Sequence, residues 1–284
     1  MTISRLFLCI GLSVAVLATA CSKQPIPPAD APSDTPTGAP SDTPKADVAA
    51  KCDGGLFNGQ CVAKGDIVKF GNYPQATDTP EPISWIVLDV DATKGEEGKI
   101  LLLSQYALDS KTYHEQSGEA TWENCSLRKW LNEDFMNVAF NQGEQPRILK
   151  THLDNPGNPI YNTPGGNPTD DSVFLLSLTD ALSQTGRVPG SGKYFSSDKE
   201  RKVMATSYAI KNGAFPSPFD GTEGPDGEKI CSNAKCSVAW WVRTPGIGPG
   251  ITALVGYMGD VLDVGNPVLN AQVGVRPAIW VRVD

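Results

Sequence analysis

The chain reads as an α+β protein whose short strands pair antiparallel. Three observations predict it: β-branched segments recur at short length, helical periodicity is confined to a few stretches, and long Gly/Pro/Asn connections separate the elements. The predicted strands are Ile67–Phe70, Ile83–Val90, Ile100–Leu103, Val173–Leu176, Val238–Val242, Thr252–Tyr257 and Val273–Val283. In the last, Val273, Val275, Ile279, Val281 and Val283 alternate with Arg276, Trp280 and Arg282, a period of two that suits one buried face. Pro277 cannot donate to a ladder, so an edge or a bulge is expected there.

One predicted helix starts near Asn124 or Ser126 and aligns Leu127, Leu131, Phe135 and Val138 on one stripe, with Trp130 beside it. A second runs from the capping pattern Ser197-x-x-Glu200 to the stop Asn212-Gly213. A shorter turn is expected at Thr179. Between the elements lie 155–168, 215–227 and 244–250, loops of a length usually reserved for function or disorder.

The first twenty residues read as a secretory signal. Arg5 precedes an apolar run from Leu6 to Leu17, which is shorter than the roughly 20 residues a spanning helix needs. The run closes in Leu17-Ala18-Thr19-Ala20-Cys21, which resembles a lipobox and makes Cys21 the expected mature N-terminus, carrying acyl chains. Ser22 follows, and no Asp marks inner-membrane retention, so an outer membrane is the expected home where a cell has two. Residues 21–51 form a lipidated tether with seven prolines and a repeated Ala-Pro-Ser-Asp-Thr-Pro, too poor in large apolar side chains to order itself. At ~3.1 Å per residue in extended proline-rich chain, it reaches roughly 90 Å. Residues 52–284 form one globular domain.

Loss of Arg5 with the signal removes one positive charge and moves the net charge from −8 to −9. An acidic exported chain does not suit nucleic-acid binding. The expected membrane contact is the lipid on Cys21 alone. Cys52 with Cys61, and Cys231 with Cys236, are close in sequence and flank turn-forming residues, so two local disulfides are expected in an oxidising compartment. Cys125 is left over as a buried small hydrophobe.

Several phrases then become informative together: Ile83-Ser84-Trp85-Ile86-Val87-Leu88, Leu102-Leu103-Ser104-Gln105-Tyr106-Ala107-Leu108-Asp109, and Thr121-Trp122-Glu123-Asn124-Cys125-Ser126-Leu127-Arg128-Lys129-Trp130-Leu131-Asn132. Val173 to Leu178 follows, and the chain closes with Trp240-Trp241-Val242-Arg243-Thr244-Pro245-Gly246 and Gly274-Val275-Arg276-Pro277-Ala278. In order and spacing they resemble a bacterial family, domain of unknown function 6273, which brings no established activity. More distantly, they are similar to the C-type-lectin-like folds that include formylglycine-generating enzymes. The resemblance implies a C-type-lectin-like α+β fold.

Most of its tryptophans and arginines read as scaffold. Trp241 must face opposite to Trp240 on an alternating strand, so it is the expected exposed platform, with Arg243 beside it. The resemblance to formylglycine-generating enzymes implies a second reading for Cys231 and Cys236, as a copper-binding thiolate pair in an oxidase. The polar, turn-like setting favours the disulfide. Asp220, Glu223, Asp226 and Glu228 crowd a Gly-rich loop with the hard oxygen donors calcium takes, but match no EF-hand spacing, and a solvated acidic loop is expected. No cofactor is expected. His114 and His152 lie on unrelated segments and support neither a zinc site nor a Ser-His-Asp arrangement. The expected function is a lipid-anchored binding or adhesion module for a glycan, peptide or protein. The copper oxidase and a structural envelope component are the alternatives.

Overall fold

Two five-stranded sheets organise the chain, and a proline between the last two strands marks its last passage from one to the other. The computed structural model describes residues 52, 55–92, 98–182, 192–217 and 236–284. These all belong to the compact unit spanning residues 44–284. Cys21, Cys231 and the acidic loop residues Asp220, Glu223, Asp226 and Glu228 lie outside the described residues.

The first hairpin joins β1 (Leu56–Phe57) to β2 (Gln60–Cys61). Asn58 and Gly59 sit at φ 51° and 77°, as a two-residue Asn-Gly turn between antiparallel strands requires. Cys52 and Cys61 are disulfide-bonded across it, with Cα atoms 5.4 Å apart.

The first sheet contains β3 (Ile67–Pro74), β4 (Pro80–Asp91), β5 (Lys99–Ser104), β14 (Ala278–Arg282) and β7 (Ile148–Leu149), in the order β3-β4-β5-β14-β7. The second contains β12 (Val261–Pro267), β11 (Ile251–Val255), β10 (Trp240–Pro245), β13 (Gly274–Val275) and β6 (Asp109–Ser110), in the order β12-β11-β10-β13-β6. Pairing is antiparallel except between β10 and β13. A small ribbon pairs β8 (Thr151–Leu153) with β9 (Thr169–Asp171).

The expected single strand over 273–283 is therefore two strands, one in each sheet. Pro277 cannot donate a ladder hydrogen bond, but its carbonyl accepts one from Ser104 N at 2.9 Å. Arg276 at the crossing is 1% exposed; its Nε donates to Ser104 O and its Nη1 to Arg201 O, and its guanidinium lies 5.0 Å from the Trp240 ring centre. Burial lowers its pKa to about 9. In β14 the alternation holds: Ile279 and Val281 are buried and Trp280 is half-buried on the other face.

Helices are few and short. Ser126–Trp130 is α-helical, Leu131–Phe135 is a π-turn, and Met136–Ala139 is α-helical again. Leu127, Leu131 and Phe135 are buried as expected, but Val138 is 60% exposed and Ala139 takes the core position. The wider π-turn shifts the helix phase by about one residue, which moves the stripe to an even spacing of four. The expected helix over 197–212 is broken into Asp198–Arg201 and Ser207–Lys211. Between them Met204 bridges to Ser237 and Ala205 to Ala107. Ser197 makes no side-chain cap; Glu200 is held by Ser196 instead. The turn near Thr179 forms as Leu178–Ala181, with a complete capping box between Ser177 and Asp180. Val173–Leu176 is extended and buried but is not a ladder strand: it meets β14 through the bridge of Phe174 to Ala278 and β10 through Arg243 N, which donates to Leu176 O at 2.9 Å.

The core holds Trp85, Trp122, Trp240 and Trp241, all fully buried. Each indole N–H is satisfied: by Phe70 O at 2.7 Å, Asp171 Oδ2 at 2.7 Å, Arg201 O at 3.1 Å and Lys111 O at 2.9 Å, respectively. The expectation that Trp241 is exposed is thus corrected. Strand β10 lies inside its sheet and is buried on both faces, so alternation does not bring either neighbour to solvent. The Tyr113 ring packs edge-on against Trp241, with ring centres 5.7 Å apart.

Candidate functional site

A polar cleft of about 860 Å³ lies beside the Ser126 helix, within the range of small-molecule sites. One wall is that helix's first turns, with Arg128, Asn132 and the half-buried Trp130. The other comes from the end of β9, with Asp170 and Asp171.

The helix start is closed by its own neighbours. Cys125 is the N-cap, its Sγ accepting from Arg128 N. Leu127 N donates to Tyr113 O, and Ser126 N donates to His114 Nδ1. The first-turn N–H groups are therefore spent within the protein and form no open anion site. Burial pushes the Cys125 thiol up to about 12, so it stays neutral and unreactive.

Asp171 ties the two walls together. It is 1% exposed and accepts from Trp122 Nε1 at 2.7 Å, Thr169 Oγ1 at 2.8 Å and Arg128 Nε at 2.7 Å. Asn132 adds a second clamp, donating to Val173 O and accepting from the backbone of Ser172 and Val173. At the rim, the Asn167 side-chain amide and backbone N–H hold the Glu123 carboxylate and keep its pKa below the usual range. Asn167 is placed by Gly166, whose φ of +90° and close approach to Thr121 leave no room for a side chain.

These groups recognise hydroxyls and amides well: fixed carboxylates, an amide and a guanidinium around one aromatic ring. Outside the cleft lining, Lys111 sits 4.5 Å from the Trp130 ring centre, which holds the indole in place.

Of the residues expected to form a site, Arg243 is only 8% exposed; its Nη1 donates to Leu175 O and to Asp180 Oδ2 at 3.2 Å. It serves as scaffold, as does Trp241. Cys236 is disulfide-bonded, so its sulfur is not available as a thiolate for copper. His114 receives Ser126 N, and His152 is exposed against Asp170. Among the described residues no group of three His, Cys, Asp or Glu is gathered for a metal. No described helix is long and apolar enough to cross a membrane.

The Trp130 cleft was not singled out by sequence reasoning. Its signal was present in Trp122-Glu123-Asn124-Cys125-Ser126-Leu127-Arg128-Lys129-Trp130, where polar residues crowd between two tryptophans. Residues 97–283 match the family described as Domain of unknown function (DUF6273). No curated protein and no solved structure matches the chain.

Proposed function

Because the chain belongs to the family Domain of unknown function (DUF6273), whose description names no activity, we propose its function from its own chemistry: a lipid-anchored, exported module that binds a glycan without transforming it. The observation that carries this reading is the Trp130 cleft, a wide polar recess lined by fixed hydrogen-bonding groups around one half-buried indole. Sugars present both hydroxyls and apolar ring faces, and this lining offers a partner for each. The lipobox-like Leu17–Cys21 and the proline-rich stretch to residue 51 support the anchor and the spacer, with the outer membrane as destination. The paired sheets, the Trp-rich β10 and the Gly-x-Arg segment at β13 support a C-type-lectin-like kinship.

Glycan-array binding of the detergent-solubilised full chain tests the reading, with Trp130→Ala expected to weaken binding at least tenfold, about 1.4 kcal/mol. Absence of binding over a broad panel refutes it. Labelled palmitate, lost on Cys21→Ser, tests the anchor.

A further inference from the structure

A second cleft of about 460 Å³ adjoins the first and, like it, holds one tryptophan in its lining. Lys150 lines both. His152, on the wall of the second, lies 2.9 Å through its Nδ1 from Asp170 Oδ1 on the wall of the first. The chain from Leu149 to His152, which runs from the end of β7 into β8, is thus a border shared by the two clefts.

The second cleft also holds one half-buried indole, Trp280, on the outward face of β14. Its ring is steadied by Lys99, 5.6 Å from the ring centre, much as Lys111 steadies Trp130. The charges around it are internally balanced: Lys99 pairs with Asp91 at 3.2 Å and Lys193 with Asp89 at 2.9 Å. Burial works to lower the Lys193 pKa, but its interactions with the Asp89 carboxylate and with Tyr194 together raise it, keeping the ammonium charged. The exposed Lys150 ammonium at the junction has no acidic partner within ion-pair distance among the described residues.

We propose that the two clefts are subsites for one extended, uncharged oligosaccharide, which contacts Trp130 and Trp280 with successive sugars and receives hydrogen bonds from Lys150 between them. This rests on the glycan reading above and specifies its ligand as a chain rather than a single sugar. Paired charges repel neither neutral hydroxyls nor each other, whereas a polyanion would have to compete with Asp89, Asp91 and the carboxylates of the first cleft. Two rings already held by lysines lose little freedom on binding, so added sugars gain contact at low entropic cost.

Calorimetry on the full chain in detergent, with cello- and chito-oligosaccharides from disaccharide to hexasaccharide, tests the proposal. Affinity should rise at least tenfold across the series and change little with salt. Trp280→Ala, or Lys150→Glu at an exposed position outside the core, should bring the hexasaccharide down to the disaccharide's affinity. Trp130→Ala should weaken every length. Affinity that is independent of length but sensitive to Trp130→Ala overturns the two-subsite proposal and leaves the single-cleft reading standing. Binding of acidic peptides in place of oligosaccharides, or of no saccharide at all, overturns both.

Discussion

Replacing Asp171 with alanine tests how the cleft walls are joined. In the native chain its carboxylate satisfies the buried Trp122 indole, the Thr169 hydroxyl and the Arg128 guanidinium at once. Truncation leaves Trp122 Nε1 without an acceptor in a fully buried site, which costs about 1–3 kcal/mol. It also removes a charge-assisted bond to Arg128, worth about 1.5–3 kcal/mol when buried, but the Arg128 side chain is 27% exposed and recovers part of this from water. The expected loss is about 3–4 kcal/mol, large for a domain whose whole stability is on the order of 5–15 kcal/mol. Arg128→Ala leaves Asp171 two donors and should cost about 1–2 kcal/mol. In the double variant the losses should fall short of additive, because both remove the same bond. Urea unfolding followed by tryptophan fluorescence measures all three. A loss below about 1 kcal/mol for Asp171→Ala, with an unchanged m-value, would mean that Trp122 finds another acceptor and that the hub reading is mistaken.

Cys125 should resist alkylation in the native chain and react only after denaturation, as peptide mapping by mass spectrometry would reveal; native labelling contradicts its burial. Its raised pKa also has a sign. The unfolded thiol ionises near 9 while the folded one holds its proton to about 12, so stability is intact below pH 9 and falls as pH rises between the two values, by up to about 1.4 kcal/mol per pH unit. Cys125→Ala should lack this component of the alkaline loss, and identical pH profiles for the two chains would refute the assignment. Gly166→Ala forces a side chain into positive φ, with its Cβ 2.7 Å from Thr121 Oγ1, and should cost about 1–2 kcal/mol. Displacement of Asn167 should then let the Glu123 pKa rise, readable by NMR carboxyl titration; no movement of that titration contradicts the coupling.

Strands β3, β4 and β5 were legible because their apolar residues report their own neighbours. Other elements depended on distant chain. Trp241 reads as outward by alternation, yet β10 lies between two strands and under Tyr113, a burial no local pattern encodes. Val138 matches a helical stripe, but the π-turn at Leu131–Phe135 re-phases it. Strand β12 escaped notice because Leu262 and Val264 are exposed on an edge and offer no one-sided pattern. The Trp130 cleft was the least legible feature. Its walls meet through Arg128 and Asp171, which are 43 residues apart, and nothing in either segment names the other.

The handover at Pro277 governs the order in which the molecule assembles. Strands β13 and β14 come after all the other described strands, yet β13 joins β10 to β6 and β14 joins β5 to β7. A nascent chain therefore carries two half-built sheets until its last strands emerge. A frameshift near residue 270 would remove the strand that ties the edge strand β6 to β10 and the one that ties the edge strand β7 to β5 at a stroke.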